Sequence, residues 1–152
     1  RLTYANAVLA EALLARAGWL HDDGALEESL LLLRWLVSQQ VLGDHLSPVP
    51  TGGRDPGGGR GEFDQQPIEV AALAEAASRA WGLTRDPAWL DVLDLGARWV
   101  LGENDAGLAL YDPRTGAGYD GLHADAVNLN QGAESTLAVL STLQLARQAV
   151  AG

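Results

Sequence analysis

The sequence predicts an all-α protein built from repeated αα-hairpins. Five segments carry apolar residues at helical spacing, and no convincing alternation of apolar and polar residues marks a β-strand. The chain also repeats itself, because residues 22–26 resemble residues 86–90, and Arg34 and Trp35 align with Arg98 and Trp99 at the same offset of 64 residues. Self-similarity at a fixed offset is the sequence signature of repeat architectures.

The first two helices form the first predicted hairpin. The first helix covers roughly residues 3–17, with Leu9 and Leu13 among many alanines. The second opens after Asp22, a residue type that caps helix N-termini, and runs to about residue 41. Its apolar side chains follow the helical period at Leu26, Leu30, Leu33 and Val37.

The other three predicted helices repeat this arrangement. The third begins at Pro67, because proline is favourable in a first helical turn. The fourth starts after Asp86 and Pro87, and the fifth covers about residues 132–150. A short turn joins the helices within each pair, whereas a long loop follows each pair. Outside the helices, residues 108–111 could form a short extended piece.

The composition of the helices predicts two layers. The first, third and fifth helices have small apolar residues on several faces, which is typical of helices buried between neighbours. The second and fourth carry Trp35, Trp89 and Trp99, which we expect in the core, and charges on the opposite side. Inner and outer layers of helical hairpins form an α/α toroid or solenoid.

The 152 residues suit one domain that contains two full repeats and part of a third. We place repeat 1 at residues 1–63, repeat 2 at 64–130 and the first helix of repeat 3 at 131–152. Two and a half hairpins cannot close a ring. We therefore expect a fragment or an open arc, whose exposed end binds the rest of a parent chain or a second copy of itself.

Composition excludes several classes of protein. With 47% hydrophobic and 20% charged residues, the chain is globular rather than disordered. Its net charge of −10, with arginine as the only basic residue besides histidine, argues against binding nucleic acid through phosphates. No apolar run is long enough to span a membrane. The lack of cysteine excludes disulfides and thiolate metal sites, and it fits a cytoplasmic location.

Two long loops, at residues 43–63 and 103–130, are the predicted carriers of function. Loops of this length inside a compact domain are usually functional or disordered. Both precede the N-termini of inner helices, so both lie at one end of the helices, which we call the long-loop rim. The opposite end has only tight turns, at residues 18–22 and 82–86, and we call it the short-turn rim.

Polar side chains close both loops. Amides and carboxylates can bind sugar hydroxyls, but they can also cap helices. Capping is the stronger interpretation for Gln66 and Gln131 taken alone, and for Glu69 and Glu134, which occupy the reciprocal position of a capping box. It does not explain the further polar residues before each helix. The candidate substrate-binding residues are Asp64, Gln65, Gln66, His123, Asn128, Asn130 and Gln131.

The same rim carries enough carboxylates for acid–base chemistry. Glycoside cleavage needs two carboxyl groups about 5–10 Å apart. Asp120 and Glu134 are the candidate catalytic pair, although single surface acids are common in so acidic a chain. His123 could bind a hydroxyl or move a proton, and packing within the loop is an equally good interpretation. Histidine spacing predicts no metal site, and no motif predicts a cofactor.

Three segments give the chain a family resemblance. They are residues 63–69 (FDQQPIE), residues 110–116 (LYDPRTG), and residues 120–137, which include the run Asn-Gln-Gly-Ala-Glu-Ser-Thr. The chain resembles the C-terminal α-helical region of some bacterial GT-B-type glycosyltransferases, which is related in pattern to the six-hairpin glycosidases. The resemblance implies an (α/α) toroid with a sugar-binding funnel at the N-terminal ends of its inner helices. The nucleotide-sugar site of such enzymes is not in these residues.

These observations lead to two functional hypotheses. The first is a carbohydrate-active (α/α)-toroid module that binds a glycan at the long-loop rim, either to process glycosides or as the accessory module of a glycosyltransferase. The second is a non-catalytic helical-repeat module that binds a polysaccharide or a protein. An inactive fragment that associates with itself at its exposed end is a third possibility.

Overall fold

The structure, a computed structural model, describes residues 1–151, with side chains described through residue 149. It is mostly helical, which confirms the coarse fold class. None of the helices in this part of the chain is long and apolar enough to cross a membrane. The helices are α1 (Ala7–Leu20), α2 (Asp23–Gln40), α3 (Pro67–Thr84), α4 (Ala88–Leu101) and α5 (Ala133–Ala151).

Three small antiparallel strand pairs, one at the end of α2 and two in the second long loop, correct the expectation of a purely α-helical chain. Each strand has only two residues, which is too short for apolar and polar positions to alternate visibly. The predicted extended piece overlaps them only at Tyr111. The strands are β1 (Val41–Leu42) with β2 (His45–Leu46), β3 (Tyr111–Asp112) with β4 (Ala117–Gly118), and β5 (Gly121–Leu122) with β6 (Val127–Asn128).

Helix α1 begins later and ends later than predicted. Residues 3–6 are not helical, because the Thr3 N–H donates to the Asn6 side chain at 3.1 Å and the Ala5 N–H donates to the Glu69 carboxylate. Ala5 also has a positive φ of 47°, which an α-helix does not allow. The sequence could not indicate this start, since the partner of Ala5 is 64 residues away.

The starts of α2, α3 and α4 lie where local residue types predicted them. Asp22 accepts a hydrogen bond from the Ala25 N–H at 3.0 Å, so its predicted role as the cap of α2 is confirmed. Asp86 accepts from the Ala88 N–H at 3.1 Å at the start of α4. Helix α3 begins at Pro67, as predicted.

Helix α3 lies at the centre of the molecule and packs against α1, α4 and α5. Ten of its residues are buried, because its alanines let the neighbouring helices approach on several sides. Helix α2 packs on α1, and α4 packs on both α3 and α5. Arg34 links α2 to α4, since its guanidinium lies 4.8 Å above the Trp89 ring and 3.1 Å from the Asp86 carboxylate.

The expectation that all three tryptophans of α2 and α4 lie in the core is wrong for one of them. Trp89 and Trp99 are buried, but Trp35 is 49% exposed. Among the described residues, no further helix covers the outer edge of α2, and Trp35 lies beside the N-terminal Arg1 and Leu2 and residues 54–56 of the first long loop.

Candidate functional site

The two long loops meet at the start of α3. The Gln65 N–H donates to the Leu122 carbonyl at 3.0 Å, and the Leu122 N–H donates back at 2.7 Å. This pair joins the loop that follows α2 to the loop that follows α4. Both residues are fully buried, so the junction is a fixed part of the long-loop rim.

Gln65, a candidate sugar ligand, lies beneath the rim rather than on it. Its Nε2 donates to Asp105 Oδ2 at 2.5 Å and to the Glu62 carbonyl at 3.0 Å. Its Oε1 accepts from the Trp99 indole at 3.3 Å. A side chain that is fully buried and hydrogen-bonded at both ends cannot contact a glycan directly, which corrects its assignment to the substrate-facing set.

Sequence reasoning missed the histidine–carboxylate pair that supports this junction. His45 Nε2 lies 2.9 Å from Asp105 Oδ1, and the Asp105 side chain is only 6% exposed. The hydrogen bond that His45 makes to Asp105 raises the pKa of His45, and Asp44, 3.4 Å from Nδ1, acts in the same direction. No sequence spacing indicates the pair, since the two residues are 60 positions apart in different loops.

Asp64 and His123 do come together on the rim. His123 Nδ1 lies 3.8 Å from Asp64 Oδ1, and the His123 side chain is 46% exposed. Asp64 Oδ1 is buried and has no hydrogen-bond partner among the described residues. Gly121 makes room for it, because a Cβ atom there would lie 2.6 Å from the same oxygen. The pair places one imidazole and one carboxylate on the rim, beside the backbone pairing of Gln65 with Leu122.

Asp120, one candidate of the catalytic pair, holds the start of α5. Its Oδ1 accepts from the Gly132 N–H at 2.9 Å, and its Oδ2 accepts from the Asn130 amide. Hydrogen bonds from the Ser135 hydroxyl and the Asn130 amide lower the pKa of Asp120. A carboxylate held in its charged form suits a base or a nucleophile, and it does not suit a general acid.

The amides around Asp120 are partly engaged in the same local structure. Asn128 Oδ1 accepts from the Asn130 N–H at 3.1 Å. Gln131 Nε2 donates to Asp112 Oδ2 at 3.4 Å. Asn128, Asn130 and Gln131 are all exposed. Their free polar atoms therefore face solvent on the rim.

Glu134, the other candidate catalytic residue, contacts Tyr4, which no sequence pattern indicated. The Tyr4 hydroxyl donates to Glu134 Oε2 at 3.0 Å. Partial desolvation of the hydroxyl and this hydrogen bond raise the pKa of Tyr4. The N-terminal segment thus reaches across to the start of α5. No proximity in sequence could indicate this contact, because 130 positions separate the two residues.

The predicted capping box at the start of α3 does not form. Gln66 is the N-cap residue but makes no capping bond through its side chain, and it is half-buried. Glu69 turns instead to the Ala5 N–H. Burial raises the pKa of Glu69 to about 7, although the N–H groups of Ala5 and Asn6 act against this shift. Glu69 therefore joins α1 to α3 beneath the rim.

The rim thus gathers the N-terminal ends of α1, α3 and α5 with the ends of both long loops. Asp64, Asp120 and His123 are half-buried there, and Glu134 is exposed. Such a surface can donate and accept hydrogen bonds in the fixed directions that sugar hydroxyls require. Within residues 1–151, no three histidine, aspartate or glutamate side chains are grouped so as to hold a metal ion.

Comparison with known proteins assigns no family to this chain. No protein-family model matches the chain, and no curated protein matches it.

Proposed function

We propose that this chain is a carbohydrate-active module that binds a glycan at the long-loop rim. The observation that carries the proposal is the meeting of the two long loops, which sets Asp64 3.8 Å from His123 beside the capped start of α5. Two carboxylates, an imidazole and several exposed amides supply complementary partners for vicinal hydroxyls. The acidic rim offers little to a phosphate-bearing ligand.

The proposed architecture is part of an (α/α) toroid. Helices α1, α3 and α5 form a row in which each contacts the next, while α2 and α4 pack beside them and contact each other through Arg34. This order fits alternating inner and outer helices. The resemblance to the helical region of bacterial GT-B-type glycosyltransferases supports the same arrangement, with the sugar site at the N-terminal ends of the inner helices.

Binding is tested by titrating the protein calorimetrically with a panel of oligosaccharides. We expect His123→Ala to weaken binding about fivefold, since a hydrogen bond to a ligand contributes about 1 kcal/mol. His21→Ala is the matched control, because His21 lies on the short-turn rim, and it should leave the affinity unchanged. A panel in which no oligosaccharide binds the unaltered protein would reject the proposal.

If the module processes glycosides, Asp120 and Glu134 are the carboxyl groups that would cleave the bound glycan. Asp120→Asn and Glu134→Gln should then abolish turnover while both variants stay folded, as circular dichroism verifies. Asp120→Asn should lower the melting temperature, because an amide cannot accept from both Gly132 and Asn130. Product analysis on a glycan that binds is the measurement. Unchanged turnover in both variants would remove the two residues from this role.

One observation favours a non-catalytic binding module as the second candidate. Asp120 already makes hydrogen bonds to Gly132 and Asn130, which is a structural role sufficient to explain its presence. A glycan that binds but yields no product over long incubation would identify this second function. The rest of a parent chain or a second copy would then supply any catalytic residues.

A further inference from the structure

We propose that the groove between α1, α3 and α5 is a second sugar-binding subsite, which holds neutral sugars of a glycan that also contacts the long-loop rim. This inference rests on the proposed function and extends it to a surface outside the two loops. None of the groove residues except Glu134 belongs to the rim site described above.

The groove has the size and surface of a ligand site. Its volume is about 350 Å³, within the usual range for small-molecule pockets. Ala71, Ala72 and Ala138 form its floor, and their small side chains leave room for a ligand between the helices. Val8 and the 67%-exposed Leu137 form its sides. These residues give the groove a mainly apolar lining.

Hydrogen-bonding groups lie at both ends of the groove. At the rim end, the Tyr4 hydroxyl meets Glu134 Oε2 at 3.0 Å. At the far end, the Ser141 hydroxyl meets Glu75 Oε1 at 3.1 Å. Glu134 and Ser141 are separated by about two turns of α5, or about 10 Å along the helix. A short oligosaccharide can therefore reach both ends at once.

This combination fits a sugar better than a purely apolar ligand. A pyranose ring has apolar C–H faces that can pack on the alanine floor, and hydroxyls that can bond to Glu75 and Glu134. Each carboxylate already has one protein partner, and water can bond to its remaining oxygen. An apolar ligand would displace that water without replacing its hydrogen bonds, which is costly. Because Glu134 lines both the groove and the rim, a glycan can continue from one to the other.

The charges of the groove select against acidic sugars and against a second copy of the chain. Glu75 and Glu134 are both exposed, and the nearby Arg79 is already paired with Glu11. A uronate would face two carboxylates with no free cation between them among the described residues. Two copies that met through this groove would bring acidic surfaces together in a protein of net charge −10, which like-charge repulsion opposes.

The test compares cellobiose with cellotetraose, and maltose with maltotetraose, by calorimetry. Glu75→Ala and Ser141→Leu alter the far end of the groove, and Glu28→Ala on the exposed face of α2 is the control. We expect each groove variant to weaken binding of at least one tetrasaccharide about tenfold while its disaccharide binds as before. We expect Glu28→Ala to change neither affinity. Circular dichroism verifies that each variant is folded.

The outcomes separate this inference from the proposed function. Tetrasaccharide binding that His123→Ala weakens, but that both groove variants leave intact, would overturn the subsite and keep the rim. Tetragalacturonate that bound as tightly as the neutral tetrasaccharides would overturn the preference for neutral sugars. Concentration-dependent dimerisation that the groove variants abolish would assign the groove to a second copy. No binding of any oligosaccharide would reject both proposals.

Discussion

Gly121 lies where the two long loops touch, and its lack of a side chain makes room for Asp64. A Cβ atom at this position would lie 2.6 Å from Asp64 Oδ1 and 3.3 Å from the Gln65 carbonyl. Gly121→Ala must therefore displace Asp64 or break the pairing of Gln65 with Leu122. We expect a loss of about 1–3 kcal/mol in the free energy of unfolding, together with weaker glycan binding.

Chemical denaturation measures this effect, and Gly52→Ala is its control. Gly52 lies in the first long loop, where a Cβ atom would meet no other atom within 4 Å, and its φ is not positive. The control should lie within about 0.5 kcal/mol of the unaltered protein. An equal loss of unfolding free energy in the two variants would show that the junction does not require a glycine at position 121.

Glu69 gives the protein a stability that depends on pH. Burial raises its pKa from the ordinary value of 4.5 to about 7. The folded protein thus binds this proton more tightly than the unfolded chain does. Stability should fall as the pH rises from about 4.5 to about 7, by on the order of 3 kcal/mol at most, and then stay level with respect to this group.

Glu69→Gln removes this titration but keeps an oxygen that can accept from the Ala5 N–H. The stability of the variant relative to the unaltered protein should therefore increase between about pH 5 and about pH 8. Urea denaturation at the two pH values is the measurement. Glu75→Gln, at an exposed position of the same helix, should show no such change. A constant difference for Glu69→Gln across this range would contradict the assignment of a raised pKa to Glu69.

At the scale of elements, the β1–β2 hairpin is fixed to the second long loop by His45 and Asp105. The carboxylate of Asp105 raises the pKa of His45 and also accepts from Gln65, so it connects the hairpin to the junction with Leu122. Because the pKa is higher in the folded state, this contact contributes its full stability below the ordinary histidine value of about 6.5 and loses it as the pH rises through the folded-state value.

Asp105→Asn should lower the pKa of His45, which an NMR titration of the imidazole follows directly. The same variant should shift the amide resonances of Gln65 and Leu122, since Gln65 loses a charged acceptor. Asp55→Asn in the first long loop is the control, because Asp55 makes its ion pair with Arg1 and not with His45. A His45 pKa that did not move would show that Asp105 does not set it.

Sequence patterns predicted the elements much better than the contacts between them. The starts of α2 and α3 depend on Asp22 and Pro67, which act on their own helix and are visible locally. The start of α1 depends on Glu69, and no local pattern contains that information. The strand pairs were not predicted, because a strand of two residues is too short to show the alternation of apolar and polar residues.

For the whole molecule, loop length indicated which segments come together, and residue type did not indicate how their side chains are used. The two long loops do meet at one end of the helices. Residue type does not show that Gln65 is buried, because a polar residue before a helix has the same sequence signature whether it faces solvent or a buried Asp105. No sequence pattern indicates a role for Tyr4, since only the fold brings the N-terminal segment next to Glu134.

The contacts of the whole molecule also leave an apolar surface open. Leu9 and Leu137 are 68% and 67% exposed, and Trp35 is 49% exposed. Leu137 borders the groove and Leu9 lies on α1, whereas Trp35 lies at the outer edge of α2. The expectation that an arc of hairpins presents an unpartnered end stays a prediction.

The most direct test of glycan binding at the long-loop rim is a map of amide chemical shifts recorded while cellotetraose or maltotetraose is added. We expect the largest changes for at least one of them to cluster at Asp64, Gly121, His123 and Glu134, while residues of the short-turn rim such as His21 and Arg85 do not respond. Changes centred on the short-turn rim, or no change with either glycan, would contradict this claim.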